Sequence, residues 1–330
     1  MTHRIHRSLL LIGLLLVIVP FAAWAQDDPG WIYLLSRDDA TITVVPVSDP
    51  EGRTTIDLPM ENPRALFPTP GGKYVFVGFE DSPDLALVDS ESKSVARRLT
   101  LDGGSVEAMT FSARGNTAFV RFENAFAAYD HTAGELELRE ITRDGIADVS
   151  ARHPQAAVNR RATRVYLSTD DGLGYFEVEG LDQFRSVRGA ADVWAMAPDY
   201  RFLWGVSDER VTIVDERRGR VVGRVNGSFV VQPPVFVRTA GEVYLPEAGA
   251  DRIAIIDDRR FRSRDSVDLP GRPVAAIGDE SRGVWTITED GNLLRFDTVS
   301  RELTAVAALG SQFTDMTYVG FKPDGGFACF

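Results

Sequence analysis

The feature that most constrains this chain is a short apolar run that ends in an acid and recurs about every 40 residues. "LALVDSES" at 85–92 has the same form as "VTIVDERR" at 211–218, "IAIIDDRR" at 253–260 and "LLRFDTVS" at 293–300. Successive acids are 41, 47, 38, 42 and 40 residues apart, and they are Asp89, Asp130, Glu177, Asp215, Asp257 and Asp297. A seventh copy at 41–48 has Pro46 in place of the acid. A period near 40 with strand-like contents predicts a repeat architecture.

A second marker agrees with the first. An aromatic residue lies 11 to 13 positions before each acid or its Pro46 counterpart: Tyr33, Phe76, Phe119, Tyr166, Trp204, Tyr244 and Trp285. The runs around these residues are short, β-branched and aromatic, which is typical of strands. An alternating run precedes the aromatic strand and another follows the acid, so each unit contains four strands. The aromatic residues recur in every unit, as core packing demands.

These units predict an all-β fold, a seven-bladed β-propeller of four-stranded antiparallel blades. The first strands are expected to begin near residues 63, 105, 148, 190, 232, 273 and 314. Residues 31–59 supply strands two to four of one blade, and "FTDMTYVGFKPDGG" at 313–326 supplies its first strand. The N- and C-terminal strands are therefore expected to close the ring in one blade and to hide its edges. Each acid is expected to accept a hydrogen bond from the backbone two residues on.

The first 25 residues have the pattern of a secretory signal peptide. Arg4 and Arg7 precede the apolar run from Leu9 to Phe21, and Ala23-Trp24-Ala25 forms a small-x-small cleavage site. Cleavage after Ala25 leaves one propeller domain, 26–330, in the periplasm or outside the cell. An uncleaved anchor is the alternative, but the apolar run is about thirteen residues, short for a bilayer span. We therefore expect no stable membrane span after cleavage.

Charge and cysteine content narrow the function further. Without Arg4 and Arg7 the chain has 34 Lys and Arg against 48 Asp and Glu, a net charge of −14. Such a chain repels phosphate backbones, so nucleic acid is not an expected partner. Cys329 is the only cysteine, which excludes an internal disulfide and favours a packed small side chain over a thiol that pairs between chains.

The phrase "GGKYVFVGFEDSPDLALVDSESKSVARRLTL" at 71–101 resembles the YVTN repeat. The resemblance extends over nearly all of the mature chain. It implies a seven-bladed propeller in an exported protein, within a family that includes surface proteins, quinoprotein-associated proteins and relatives of lactonases. The second strand never reads Tyr-Val-Thr-Asn, and blade three carries an insertion around 151–164. The resemblance therefore implies the fold and leaves the activity open.

The sequence offers few residues with the chemistry of a metal or catalytic centre. His131 and His153 are the only histidines after the signal segment, and His131 is expected in an exposed turn. We predict no metal site and no cofactor, and the catalytic residues, if any, are unknown. Every turn between the second and third strands carries an acid, from Asp38 in the first to Asp290 in the last. These turns share one face of the propeller. Their acids either attract a cation or a basic partner, or serve only to form the turns and keep the surface soluble.

The central channel is the candidate ligand site. Propeller ligands usually lie at the axial mouth, where the first strands begin. The residues predicted there are Arg64, Glu107, Asp148, Asp192, Gln232, Arg272 and Asp315. They either orient a polar ligand or pair with one another across the channel. Trp194 is expected to pack in the core; the alternative is that it covers the channel mouth as a lid.

We therefore predict an exported, non-enzymatic binding or scaffold propeller whose partner is an unknown protein or a small polar ligand. The ligand would bind on one face or at the channel mouth. The alternative is a lactonase-type hydrolase acting at the channel mouth through acids and arginines. The predicted mouth contains no histidine, which favours binding. An electron-transfer accessory is a third reading, but the chain offers no redox group of its own.

Overall fold

The computed structural model describes residues 30–143, 156–169, 172–181, 184–188, 191–237, 239–279, 282–310 and 312–320. Within these residues, the strands form seven four-stranded antiparallel sheets arranged as the blades of a propeller, which confirms the predicted fold class. Several residues named above lie outside the described ranges, namely the signal-like residues 1–25, Asp148, His153 and Cys329.

The strands are numbered in chain order and grouped by blade as follows. Blade 1 has β4 (Pro63–Pro68), β5 (Tyr74–Phe79), β6 (Asp84–Asp89) and β7 (Ser94–Thr100); blade 2 has β8 (Val106–Phe111), β9 (Thr117–Phe122), β10 (Ala125–Thr132) and β11 (Glu135–Thr142). Blade 3 has β12 (Ala157–Val158), β13 (Arg164–Thr169), β14 (Gly172–Glu177) and β15 (Phe184–Arg188); blade 4 has β16 (Val193–Met196), β17 (Phe202–Val206), β18 (Arg210–Asp215) and β19 (Arg220–Asn226). Blade 5 has β20 (Val235–Val237), β21 (Glu242–Pro246), β22 (Arg252–Asp257) and β23 (Arg262–Asp268); blade 6 has β24 (Pro273–Gly278), β25 (Gly283–Thr288), β26 (Asn292–Asp297) and β27 (Leu303–Ala308). Blade 7 has β28 (Asp315–Gly320), β1 (Gly30–Ser36), β2 (Thr41–Pro46) and β3 (Thr54–Asp57), with a short 3₁₀ turn at Pro50–Gly52. None of the described segments is a helix that is long and apolar enough to cross a membrane.

Burial follows the position of each strand in its blade. The second strands β9 and β25 are buried along their whole length, whereas the fourth strand β7 alternates between exposed and half-buried residues. The first strands of neighbouring blades contact each other, as β28 does with β4 and with β24. The first strands therefore surround the axis, and the fourth strands form the outer rim.

Blades are joined through the second-strand aromatic residue, which meets the end of the third strand of the next blade or the turn that follows it. The ring centroids of Phe76 and His131 are 5.9 Å apart, and those of Trp204 and Phe261 are 5.8 Å apart. His131 also lies 5.3 Å from the ring of Phe111. The expectation of His131 in an exposed turn is therefore wrong, because His131 lies in β10 and packs at a blade interface. All seven second-strand aromatic residues are buried.

The acid that ends the third strand acts as predicted in three blades. Asp89, Asp257 and Asp297 each accept hydrogen bonds from the backbone amides two and three residues on, at 2.7 to 3.0 Å. These bonds hold the pKa of Asp257 and of Asp297 below the usual range of a carboxyl. Blade 2 differs because β10 continues past Asp130 to Thr132.

The first strand of blade 3 is the largest departure from the predicted starts. It begins at Ala157, whereas the sequence spacing predicts a start near residue 148. Ala157 pairs with the aromatic residue Tyr166 of β13. Because a first strand must lie opposite its second strand, the first strand of this blade begins later than the repeat spacing predicts.

The ring closes in blade 7, as predicted. β28 pairs with β1 from Gly30 opposite Gly320 to Leu35 opposite Asp315. The Asp315 carboxylate accepts the amide of Leu66 in β4 through Oδ2 and that of Met316 through Oδ1, both at 2.8 Å. The closing strand is therefore bonded to blade 1 as well as to β1.

We expect Asp315→Ala to lower the free energy of unfolding by about 1–3 kcal/mol, because it leaves two backbone amides without their acceptor. Urea denaturation at neutral pH measures this change. Asp265→Ala is the matched control, since Asp265 also accepts the amide of the next residue, Ser266, but at an exposed position. An equal effect in both variants would contradict the role of Asp315 as a link between blades.

Asp315 should also make stability depend on pH. Burial raises the pKa of its carboxyl to about 6, and the two amide bonds oppose this rise. Because the folded-state pKa exceeds the unfolded value of about 3.9, its contribution is complete below about pH 4 and is lost as pH rises through 6. The stability of the wild type relative to Asp315→Asn should therefore fall between pH 4 and 7 in urea titrations. A constant difference would show that Asp315 does not titrate in this range.

Candidate functional site

Two of the predicted channel-mouth residues occupy the same special position in adjacent blades. The first strands of blades 1, 2 and 6 each carry a β-bulge, and the residues left unpaired by the bulge are Arg64, Glu107 and Val274. A bulge turns a side chain away from the regular alternation of the strand. Arg64 and Glu107 are thus presented together, one from each side of the interface between blades 1 and 2.

These two residues form an ion pair that a second arginine joins. Arg64 Nη1 lies 2.9 Å from Glu107 Oε2, and Arg121 Nη1 of β9 lies 3.7 Å from the same oxygen. The side chains become less accessible from Arg64 (25% exposed) through Glu107 (14%) to Arg121 (7%). We call this group the Arg64–Glu107–Arg121 cluster.

Arg121 is absent from the predicted site, although a signal for it is present in the sequence. It lies two residues after the second-strand aromatic Phe119. At that position the other six blades have apolar or small residues, namely Leu35, Gly78, Ser168, Val206, Pro246 and Ile287. A charged residue in only one of seven equivalent core positions departs from what packing requires.

The electrostatics of Arg121 reflect its burial. Burial lowers the pKa of its guanidinium, the carboxylates of Glu107 and Glu123 raise it, and Arg64 lowers it. An arginine keeps its proton despite such shifts. The fold therefore holds a positive charge in a place where charge is costly.

Two other predicted mouth residues connect blades. Gln232 precedes β20, and its side-chain oxygen accepts the amide of Ala276 in β24 at 2.9 Å while its Nε2 donates to the Ala276 carbonyl at 3.2 Å. Asp315 bonds the Leu66 amide in the same manner. Both side chains link the first strands of adjacent blades through backbone groups.

Arg272 and Asp192, the other predicted residues within the described ranges, have different surroundings. Arg272 pairs with Glu289 at 3.3 Å in an exposed position. Asp192 is partly exposed before β16, where its amide donates to the Val206 carbonyl. Trp194 is 2% exposed within a core cluster, so it packs the core and is not a lid.

The acidic turns lie on the same face as the channel mouth, since each second-to-third-strand turn is at the end where the first strand begins. Arginines on this face neutralise part of the negative charge, in the pairs Arg37–Glu80, Arg98–Asp84, Arg210–Glu209, Arg252–Glu247 and Arg272–Glu289. Exposed pairs of this kind contribute little to stability. In the described part of the chain, no three His, Cys, Asp or Glu side chains are grouped so as to hold a metal ion.

Comparison with known proteins supports the fold and does not assign a family. No protein-family model matches the sequence, and no curated protein matches it. Among solved structures, the chain is similar to "Dihydro-heme d1 dehydrogenase NirN in complex with DHE", with a TM-score of 0.59 and 15% identity. The match covers 85% of this chain and 64% of that chain, so this protein spans less than two thirds of its structural relative. The resemblance to the YVTN repeat remains a prediction from the sequence.

Proposed function

We propose that this protein is an exported, non-enzymatic binding propeller that holds a small anionic ligand at the channel mouth between blades 1 and 2. The observation that carries the proposal is Arg121, a buried arginine at a position where the other six blades have apolar or small residues. The signal-like residues 1–25 support export.

The Arg64–Glu107–Arg121 cluster has the chemistry of a carboxylate receptor. Two guanidiniums, each with five N–H donors in a planar fork, surround one carboxylate. Glu107 contacts both arginines, and the cluster contains two guanidiniums and one carboxylate. A ligand carboxylate can accept a bidentate pair of hydrogen bonds from such a guanidinium.

The binding role is proposed in preference to catalysis because the Glu107 carboxylate is already paired with two guanidiniums, at 2.9 Å from Arg64 and 3.7 Å from Arg121. The solved structure of NirN, a dehydrogenase in complex with DHE, supports a ligand-binding role for a related fold. At 15% identity we transfer neither that ligand nor that activity.

The proposal is tested by thermal unfolding in the presence of acetate, succinate, citrate, neutral sugars, lactones and divalent cations. Carboxylates should raise the melting temperature in proportion to the logarithm of their concentration, because they bind only the folded state. Arg121→Leu should abolish the shift, and Arg272→Gln, a change at an exposed mouth arginine, should preserve it.

Two outcomes contradict the proposal. A melting temperature that no carboxylate changes would contradict an anionic ligand and would favour a protein partner instead. Turnover of a lactone by the wild type, lost in Glu107→Gln, would replace the binding role with the hydrolase alternative.

A binding role also predicts an unusual effect on stability. Arg121→Leu introduces the residue that blade 7 has at Leu35, and Glu107 keeps its contact with Arg64. Because replacing a buried charge with an apolar side chain is often neutral or stabilising, the free energy of unfolding should stay constant or rise by up to about 2 kcal/mol. Urea denaturation measures this, and a large loss of stability would indicate that Arg121 is structural.

A further inference from the structure

A cavity of about 220 Å³ lies between blades 3 and 4, away from the channel mouth. Its blade 3 wall contains Tyr166 and Tyr175, and its blade 4 wall is the turn from Glu216 to Gly219. The other blade interfaces provide an internal comparison that explains why this space is open.

One residue in each of blades 1 to 6 lies four positions after the acid that ends the third strand, where the chain turns toward the fourth strand. We call it the covering position, and it is Lys93 in blade 1, Gly134 in blade 2, Leu181 in blade 3, Gly219 in blade 4, Phe261 in blade 5 and Arg301 in blade 6. In three of these blades its side chain reaches back over the second strand of the preceding blade.

Each of these three side chains makes a specific contact. The Lys93 ammonium lies 5.4 Å from the ring centroid of Trp31. The Phe261 ring lies 5.1 Å from that of Phe202. Arg301 donates hydrogen bonds to the Tyr244 hydroxyl at 3.1 Å and to Glu242 at 2.6 Å.

Blade 4 has the same turn but lacks the side chain. The Gly219 amide donates to the Asp215 carbonyl at 2.8 Å, as the Phe261 amide donates to the Asp257 carbonyl at 3.0 Å. The φ angles of Gly219 and Phe261 are 58° and 52°. The backbone is therefore equivalent, and the cavity occupies the place where a covering side chain lies elsewhere.

The inner surface of the cavity suits a flat ring. Leu173, Leu203 and Val214 are lining residues that are also buried in the core between the two blades. The Arg164 guanidinium lies 4.8 Å from the ring centroid of Tyr175, and the Tyr166 hydroxyl donates to Glu216 at 2.8 Å. These contacts hold the tyrosine walls in place around an apolar floor.

The outer surface of the cavity is basic. Arg217 and Arg218 also line it, and both are exposed. Arg218 Nη1 lies 3.8 Å from Asp215 Oδ2, and no ion pair of Arg217 is found within the described ranges. In a chain of net negative charge, two arginines at the opening of an apolar, tyrosine-walled cavity favour an anionic group on the ligand.

We propose that this cavity is a second binding site, and that it takes a small aromatic carboxylate. The ring of the ligand occupies the place that Phe261 fills one interface further on, and its carboxylate faces Arg217 and Arg218. The cavity is smaller than the ~300–1,000 Å³ of sites for drug-sized ligands, so the ligand has a single ring. This site is separate from the Arg64–Glu107–Arg121 cluster and does not depend on the proposed function.

The first test uses benzoate as the probe, measured by saturation-transfer NMR and by titration of the full-length mature chain. Benzoate should bind with saturation. Benzamide, which has the ring without the charge, should bind at least tenfold more weakly, and acetate, which has the charge without the ring, should not compete. Absence of saturable benzoate binding to the wild type would overturn the proposal.

Variants then locate the site. Gly219→Phe places the blade 5 side chain in the cavity and should abolish the benzoate binding that acetate does not displace, whereas Lys93→Gly, which alters the same position in blade 1, should leave that binding unchanged. The double variant Arg217→Gln/Arg218→Gln leaves the turn glycine intact and should weaken binding at least tenfold, so the site stays testable if Gly219→Phe does not fold. Benzoate binding that acetate does not displace and that survives either change at the cavity would overturn the assignment.

One further variant separates this site from the channel mouth. Arg121→Leu should leave the affinity for benzoate unchanged, because Arg121 does not line this cavity. If Arg121→Leu removes benzoate binding while Gly219→Phe preserves it, the acid binds at the channel mouth and the second site is refuted.

Discussion

The interaction on which the rest of the structure depends is the burial of one aromatic side chain at each interface between blades. A single blade has two apolar faces and cannot cover either of them alone. The second-strand aromatic residue supplies a large part of that apolar area, and the turn of the next blade covers it, as His131 covers Phe76 and Phe261 covers Trp204. Because each blade covers the aromatic residue of the preceding blade and has its own covered by the next blade, the ring is stable only when it is complete.

Because all seven blades meet the same packing requirement, a position in one blade can be compared with the equivalent positions in the other six. Positions that serve packing alone can be filled by similar residues in each blade, so a residue of different chemistry at one such position needs another explanation. Arg121 adds a charge where the other blades have apolar or small residues, and Gly219 removes a side chain where three other blades use one. The two candidate sites thus arise from opposite changes to the same scaffold.

Sequence reasoning was sufficient for the architecture because packing repeats along the chain. The aromatic residues and terminal acids predict the strands, the number of blades and the closing of the ring by β28. The roles of Gln232 and Asp315 could not be predicted in this way, because both act on backbone groups of another blade. Arg121 was predictable only by aligning the repeats with each other. The start of β12 depends on where an insertion lies relative to its neighbours, which the period does not specify.

Ring closure also has a consequence for the order in which the chain can fold. β1 is among the first segments of the fold to be synthesised, yet its inner partner β28 is among the last. Until β28 arrives, one edge of β1 presents unpaired amides and carbonyls that are able to pair with other strands. The pairing of β1 with β28 has a sequence separation close to the whole length of the fold, which is typical of slow folding. The nascent chain therefore carries an unpaired strand edge until β28 has been synthesised.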